Sequence, residues 1–216
     1  MIQLRKAATP PASLSTTGHY NGQDVQEQLM LDQDGKCYLC EDKVRQHYQI
    51  EHFQAQANAP ELTTDWNNLF LSCGYCNPKK SHRFLTLLNP LSIPVEEALD
   101  IQTDWYRKRV HIAVRQNIPG AESTRGLLHR IHNGIGSMRT FREQMFYREF
   151  ENELSRFLSA LVLYQHNPSP ATRAEVEKLL HISQPFLAAK LGELRAVPDL
   201  YAEFKDEIHW NRSSKS

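Results

Sequence analysis

The chain's four cysteines fall into two pairs, Cys37-x-x-Cys40 and Cys73-x-x-Cys76, and between the pairs stands the dipeptide Glu51-His52. Two residues between thiols let a tight turn aim both sulfurs at one ion, and two such knuckles complete a tetrahedral shell around zinc. All four thiols are then consumed at one centre. No coordination position stays open for chemistry, so the zinc is expected as a structural staple. Nothing at the N-terminus reads as a secretory signal that would favour disulfides, and reduced thiolates suit a cytoplasmic protein.

Chemistry is therefore sought in the loop that the staple closes. The imidazole of His52 titrates near working pH and suits a general base. Glu51, and Asn77 directly after the last cysteine, offer a carboxylate and an amide oxygen. Such hard donors match magnesium or manganese better than a second zinc. Base and cation together suit phosphodiester hydrolysis, in which a water must be made nucleophilic and a leaving oxygen stabilised. Taken singly, His52 also reads as a satisfied core histidine, Glu51 as a surface carboxylate and Asn77 as a helix cap. Neighbours in a regular strand point to opposite faces, so Glu51 and His52 serve one site only if the strand bends or ends there.

The positioning elements follow from pattern. Tyr48 to Phe53 alternates and predicts a strand ending near His52, a polar stretch over 54–64 predicts a loop, and Trp66 to Cys73 predicts a second strand returning to the zinc. Pro78 suits the first position of a helix, with Asn77 as its N-cap and Lys79, Lys80, His82 and Arg83 following. The order is strand, strand, helix.

Ile50-Glu51-His52-Phe53, Trp66-Asn67-Asn68-Leu69 and Cys73-Gly74-Tyr75-Cys76-Asn77-Pro78-Lys79-Lys80-Ser81 resemble the HNH endonucleases, whose ββα-metal core grips one divalent cation; the match spans residues 30–90. The resemblance implies that His52 is the general base, Glu51 the carboxylate ligand, Asn77 the second metal-binding side chain and Asn68 a structural residue pinning the loop. His82 stands as a third ligand or a phosphate contact, and His47 as a bystander. Two positions depart from the pattern: Asp or His is frequent where Glu51 stands, and a proline commonly follows the base where this chain reads Gln54-Ala55-Gln56. The opening Met1 to Pro10, with Phe84 to Pro90, is similar to the PtuB-type HNH proteins associated with retrons and Septu. Those work in antiphage defence beside an ABC-like ATPase, PtuA, which implies such an ATPase as partner and, in the retron setting, a reverse transcriptase with its retron nucleic acid. DNA is the first substrate by family habit, with RNA such as transfer RNA the runner-up. The alternative is a catalytically inactive, zinc-organised adaptor that tethers the ATPase or reverse transcriptase.

Lys and Arg number 25 and so do Asp and Glu, an unusual balance for a protein that must hold nucleic acid unaided. The charge is uneven, however. From Trp105 to Arg148 nine bases, Arg107 and Arg109 among them, face two acids, Glu122 and Glu143. A phosphate-facing surface, solvated helix faces and the footprint of an acidic partner all account for this excess. Lys79, Lys80 and Arg83 join Arg107 and Arg109 as candidate nucleic-acid contacts.

The fold class expected is α+β, mostly α, in three parts: an extended N-terminal arm over 1–29, a zinc-stapled HNH domain over 30–90 and a helical domain over 91–216. Pro10-Pro11 and a Ser/Thr-rich run argue for the arm. Phe150, Leu154, Phe157, Leu158 and Leu161 repeat at helical spacing, Asn167-Pro168 ends that helix, and further helices are expected over 171–180, 183–196 and 199–209. The sequence carries no apolar run long enough to span a bilayer, no Walker motif and no glycine-rich phosphate loop.

Overall fold

In the computed structural model, which describes residues 1–44, 47–82 and 84–208, the chain starts inside its own core. Met1, Ile2 and Leu4 are buried. Lys6 donates to the carbonyls of Trp66 and Leu69, the latter at 2.7 Å, and its ammonium lies 3.5 Å from the Trp66 ring centroid. The Trp66 indole N–H answers by donating to the Ala7 carbonyl at 2.9 Å. Helix α1 (Ala12–Thr16) follows, then α2 (Gln23–Asp32). Asp24 ties the two helices together by accepting from the Ser13 amide and hydroxyl at 2.9 and 2.5 Å. The segment expected as an extended arm over 1–29 instead carries two helices and packs into the core. A few apolar residues spaced along a polar segment are enough to bury it, and Pro11 marks the entry to α1 instead of blocking structure.

Strand β1 (Tyr48–His52) pairs antiparallel with β2 (Leu69–Cys73), with Glu51 opposite Phe70 and His52 opposite Leu69. The second strand starts later than its sequence pattern suggests. Trp66–Asn68 is a turn of 3-10 helix, begun by the Asp65 side chain accepting from the Asn67 amide at 2.8 Å. Buried Gln33 lies beside β2 like a fragment of a third strand: its amide donates to the Leu71 carbonyl at 3.0 Å and accepts from the Leu71 N–H at 2.8 Å. Helix α3 (Asn77–Lys80) is one turn long and starts at Asn77, with Cys76 in the N-cap position.

The region from Pro94 onward is not wholly helical as expected. Helix α4 (Val95–Ala98) leads into a hairpin of β3 (Leu99–Asp104) and β4 (Arg109–Val114). Its buried residues Leu99, Ile101, Val110 and Ile112 alternate along the two strands, as a half-buried sheet requires. Helices α5 (Ala121–Asn133), α6 (Phe141–His166), α7 (Pro170–Leu180), α8 (Leu187–Arg195) and α9 (Pro198–Phe204) follow. Capping boxes Thr140/Glu143 and Ser169/Thr172 open α6 and α7. Gly192 lets α8 lie directly on β3: a Cβ there would stand 1.9 Å from the Ile101 carbonyl oxygen. The expected final helix stops at Phe204 with a 3-10 turn after it, and His209 lies outside the described residues.

One apolar core joins Leu29, Phe70 and Leu71 to Leu127, Phe150 and Phe186, and a smaller one gathers Phe157, Val176, Leu179 and Phe204. The first core crosses residue 90, so the zinc-stapled segment and the helices beyond it are buried against each other. Among the described residues no helix is long and apolar enough to cross a membrane.

Candidate functional site

The two knuckles bring their sulfurs together. The Sγ atoms of Cys37, Cys40, Cys73 and Cys76 all lie within 4.8 Å of one another, and Cys40 and Cys73 are 3.9 Å apart. Four sulfurs each about 2.3 Å from a tetrahedral zinc stand about 3.8 Å apart. The thiols are unbridged, three of them are buried, and the Cys76 amide donates to Cys73 Sγ at 3.4 Å. Burial pushes the Cys40 and Cys76 thiols up. Burial also opposes the Cys37 thiolate, but hydrogen bonds from the other three thiols outweigh it and hold Cys37 well below a free thiol. The spacing, the donor type and the packing all fit one zinc ion.

Two rungs connect α3 to one face of β1. Gln49 and Glu51, two residues apart on the strand, share a face. Asn77 Nδ2 donates to Gln49 Oε1 at 2.6 Å, and Lys80 Nζ donates to Glu51 Oε1 at 2.6 Å. Lys80 is wholly buried and also donates to the His52 carbonyl at 2.8 Å. Burial raises the Glu51 carboxyl and the Lys80 charge opposes the rise. Asn77 therefore does not cap α3 through its side chain, as expected, because that side chain crosses to β1. The carboxylate and amide oxygens brought to this face suit a hard divalent cation in donor type.

The other residues of β1 turn away from α3. His52 is buried; its Nε2 donates to the Thr63 carbonyl at 2.9 Å, and its ring meets Tyr20 edge-on with centroids 4.7 Å apart. A carbonyl can only accept, so in the neutral imidazole the free lone pair sits on Nδ1. Burial lowers the pKa of His52, keeping that neutral form. Strand β1 ends at His52, which is still in register opposite Leu69, so its side chain lies on the face opposite that of Glu51. Asn68 closes the loop after it: Oδ1 accepts from the Gln54 amide at 2.7 Å while Nδ2 donates to the Gln54 and Leu62 carbonyls, each at 3.1 Å.

The expected phosphate contacts separate. Lys80 is inside the protein and cannot face a phosphate. Lys79 pairs with Glu143 at 2.5 Å, tying α3 to the first turn of α6. Arg107 pairs with Asp104 at 3.0 Å on the exposed hairpin turn, and Arg109 donates to the carbonyls of Asn133 and Ser137 at 3.1 and 2.8 Å. His82 is exposed, and its carbonyl accepts from Asn58. Arg83 lies outside the described residues. Gln49, Thr63 and Tyr20 escaped the sequence reading. The i, i+2 pair Gln49/Glu51 against the i, i+3 pair Asn77/Lys80 was the signal available for Gln49; a backbone carbonyl such as that of Thr63 leaves none.

Residues 37–83 match the family model of the HNH endonuclease. The matched segment runs from the first cysteine through both rungs to the end of α3 and just beyond. Over 55 residues the chain is 38% identical to the Septu protein PtuB of Bacillus thuringiensis, an overlap of 24% of this chain and 21% of that relative. The HNH-like, PtuB-like character is thus carried by the zinc-stapled segment. No solved structure matches the chain.

Proposed function

We propose that this chain is a metal-dependent HNH endonuclease acting in antiphage defence. The reading is supported by the HNH match over 37–83 together with the pair of rungs that holds Glu51 and Asn77 on one face of β1, next in sequence to a strand-end histidine whose Nε2 is already committed. With Nε2 donating to Thr63, Nδ1 of His52 is the atom that takes a proton from the attacking water. Glu51 and Asn77 are the residues that would hold magnesium or manganese, which supplies charge to the phosphate and the leaving oxygen. Asn68 keeps the loop behind His52 closed, and the zinc staple fixes where β2 hands the chain to α3. DNA is the favoured substrate and RNA, including transfer RNA, the second. The PtuB likeness further favours a cytoplasmic complex with an ABC-like ATPase of the PtuA type, and with a reverse transcriptase and its retron nucleic acid where one accompanies it.

A second reading rests on the same rungs. Both candidate ligands are engaged by protein side chains, as a zinc-organised adaptor without catalysis would also allow. Incubating the full chain, alone and with its ATPase partner, with labelled DNA and RNA in magnesium or manganese separates the two. Metal-dependent cleavage that disappears in His52→Asn supports the nuclease. Partner binding with no cleavage under either condition supports the adaptor.

A further inference from the structure

The α5–α6 elbow exposes large apolar side chains. Met138 is 83% exposed, Phe141 79% and Ile135 70%, while Tyr106, on the turn of the β3–β4 hairpin, is 93% exposed. Both aromatics adjoin bases in the sequence, Tyr106 directly before Arg107-Lys108-Arg109 and Phe141 between Arg139 and Arg142. Arg109 bridges the hairpin to the elbow through its bond to the Ser137 carbonyl.

The guanidiniums here are held without being neutralised. Arg109 bonds two backbone carbonyls, and Arg142 donates to the Gly74 carbonyl at 2.7 Å. Arg139 stacks 3.7 Å from the Tyr147 ring centroid and donates to the His132 carbonyl and the Asn133 amide oxygen, each at 3.3 Å. Among the described residues none of the three has a carboxylate within ion-pair distance, while the nearby acids serve other bases, Asp104 pairing with Arg107 and Glu143 with Lys79. Neutral anchors orient a cation and leave its full charge for a ligand.

The surface also abuts the candidate site. Arg142 reaches back to Gly74 in the second knuckle, Glu143 holds Lys79 on α3, and Gly74, Tyr75, Arg142 and Phe146 line part of a cleft of about 320 Å³.

We infer that the hairpin turn and the α5–α6 elbow form a track for an unpaired nucleic-acid strand, with Tyr106 and Phe141 stacking on bases and Arg109, Arg139 and Arg142 contacting phosphates. Exposed rings interleaved with unneutralised bases match a single strand, whose bases are open to stacking, better than a duplex, which hides them. This deepens the nuclease reading and rests on it by naming the form of substrate that is delivered.

The test uses the full chain without added magnesium or manganese, so that binding is read apart from cleavage. Fluorescence anisotropy is measured with a twenty-nucleotide single strand and with its duplex across a salt series. The track predicts tighter binding of the single strand. It predicts a loss of about tenfold or more in the doubly substituted Tyr106→Ala/Phe141→Ala chain, with zinc content unchanged. Arg109→Gln/Arg142→Gln should flatten the salt dependence. Preference for the duplex, or unchanged affinity in the aromatic double variant, overturns the inference. So does loss of a protein complex in that variant with oligonucleotide affinity intact, which would make the surface a protein interface. Binding as described with no cleavage in any metal defeats the nuclease reading alone, and cleavage that ignores Tyr106 and Phe141 defeats the track alone.

Discussion

Lys80 donates to Glu51 at 2.6 Å from a position with no solvent exposure, and the same ammonium donates to the carbonyl of His52. One buried cation thereby ties both members of the Glu51-His52 dipeptide to α3. Removing one partner of a buried pair strands the other, at a cost of about 3–5 kcal/mol, whereas replacing both by neutral groups costs much less. Lys80→Met should therefore lower stability by roughly that amount, and Lys80→Met/Glu51→Gln should recover much of it. Denaturant melts of the four chains in the cycle check this. Additive losses would show that the pair is not coupled.

The zinc staple predicts a different loss. Cys73→Ser removes one of four sulfurs clustered within 4.8 Å, so bound zinc should fall below one equivalent and the melting temperature should drop with it. Metal analysis beside thermal melts reads both. A chain that keeps its stability with no bound zinc contradicts the staple.

Lys6 gives the fold a pH dependence. Burial lowers its pKa to about 7 from the ordinary 10.5, against the pull of Asp32 and Asp65. Between those values the unfolded chain holds a proton that the folded chain has released, so this group's contribution to stability rises with pH across the window. Below about 7 the penalty for burying the charge is fully present. A fully developed shift is worth about 1.4 kcal/mol per pH unit. The stability of the wild type relative to Lys6→Met should accordingly increase from pH 7 to pH 9, as followed by urea denaturation. A difference that does not change with pH would show that Lys6 stays charged in the fold.

Ligand roles separate by charge. Glu51 brings a carboxylate and Asn77 a neutral amide, so Glu51→Gln should weaken manganese binding more than Asn77→Ala. Calorimetric titration of zinc-loaded protein measures it. Equal weakening would contradict the ranking by charge, and no weakening by either substitution would remove both residues from the metal site.

The zinc knuckles, β1 and its end at His52 were legible because thiol spacing and strand alternation are local signals. The N-terminal segment was not, because burial of Ile2 and Leu4 and the Lys6 bonds to Trp66 and Leu69 depend on residues some 60 positions away. The β3–β4 hairpin was masked by its charged outer face: Arg109 and His111, alternating with buried Val110 and Ile112, fell into a region read as helical with a basic excess. Lys80 read as a phosphate contact for the same reason, since sequence shows a lysine after the knuckle but not the carboxylate that buries it. Asn77, Lys80, Gln49 and Glu51 each stood in the sequence; their pairing into two rungs needed the fold.

The central claim is that His52 is the base of a metal-dependent nuclease. His52→Asn removes the basic nitrogen, and because its shorter amide does not reach the Thr63 carbonyl as Nε2 does, the variant is compared with the wild type only after its melting and zinc content are matched. The decisive measurement is the initial rate of phosphodiester cleavage in manganese by wild type and His52→Asn, matched for zinc content and assayed with and without the ATPase partner. The account predicts metal-dependent cleavage by the wild type and a loss of at least about a hundredfold in the variant. Equal rates, or no metal-dependent cleavage by the wild type under either condition, would contradict it.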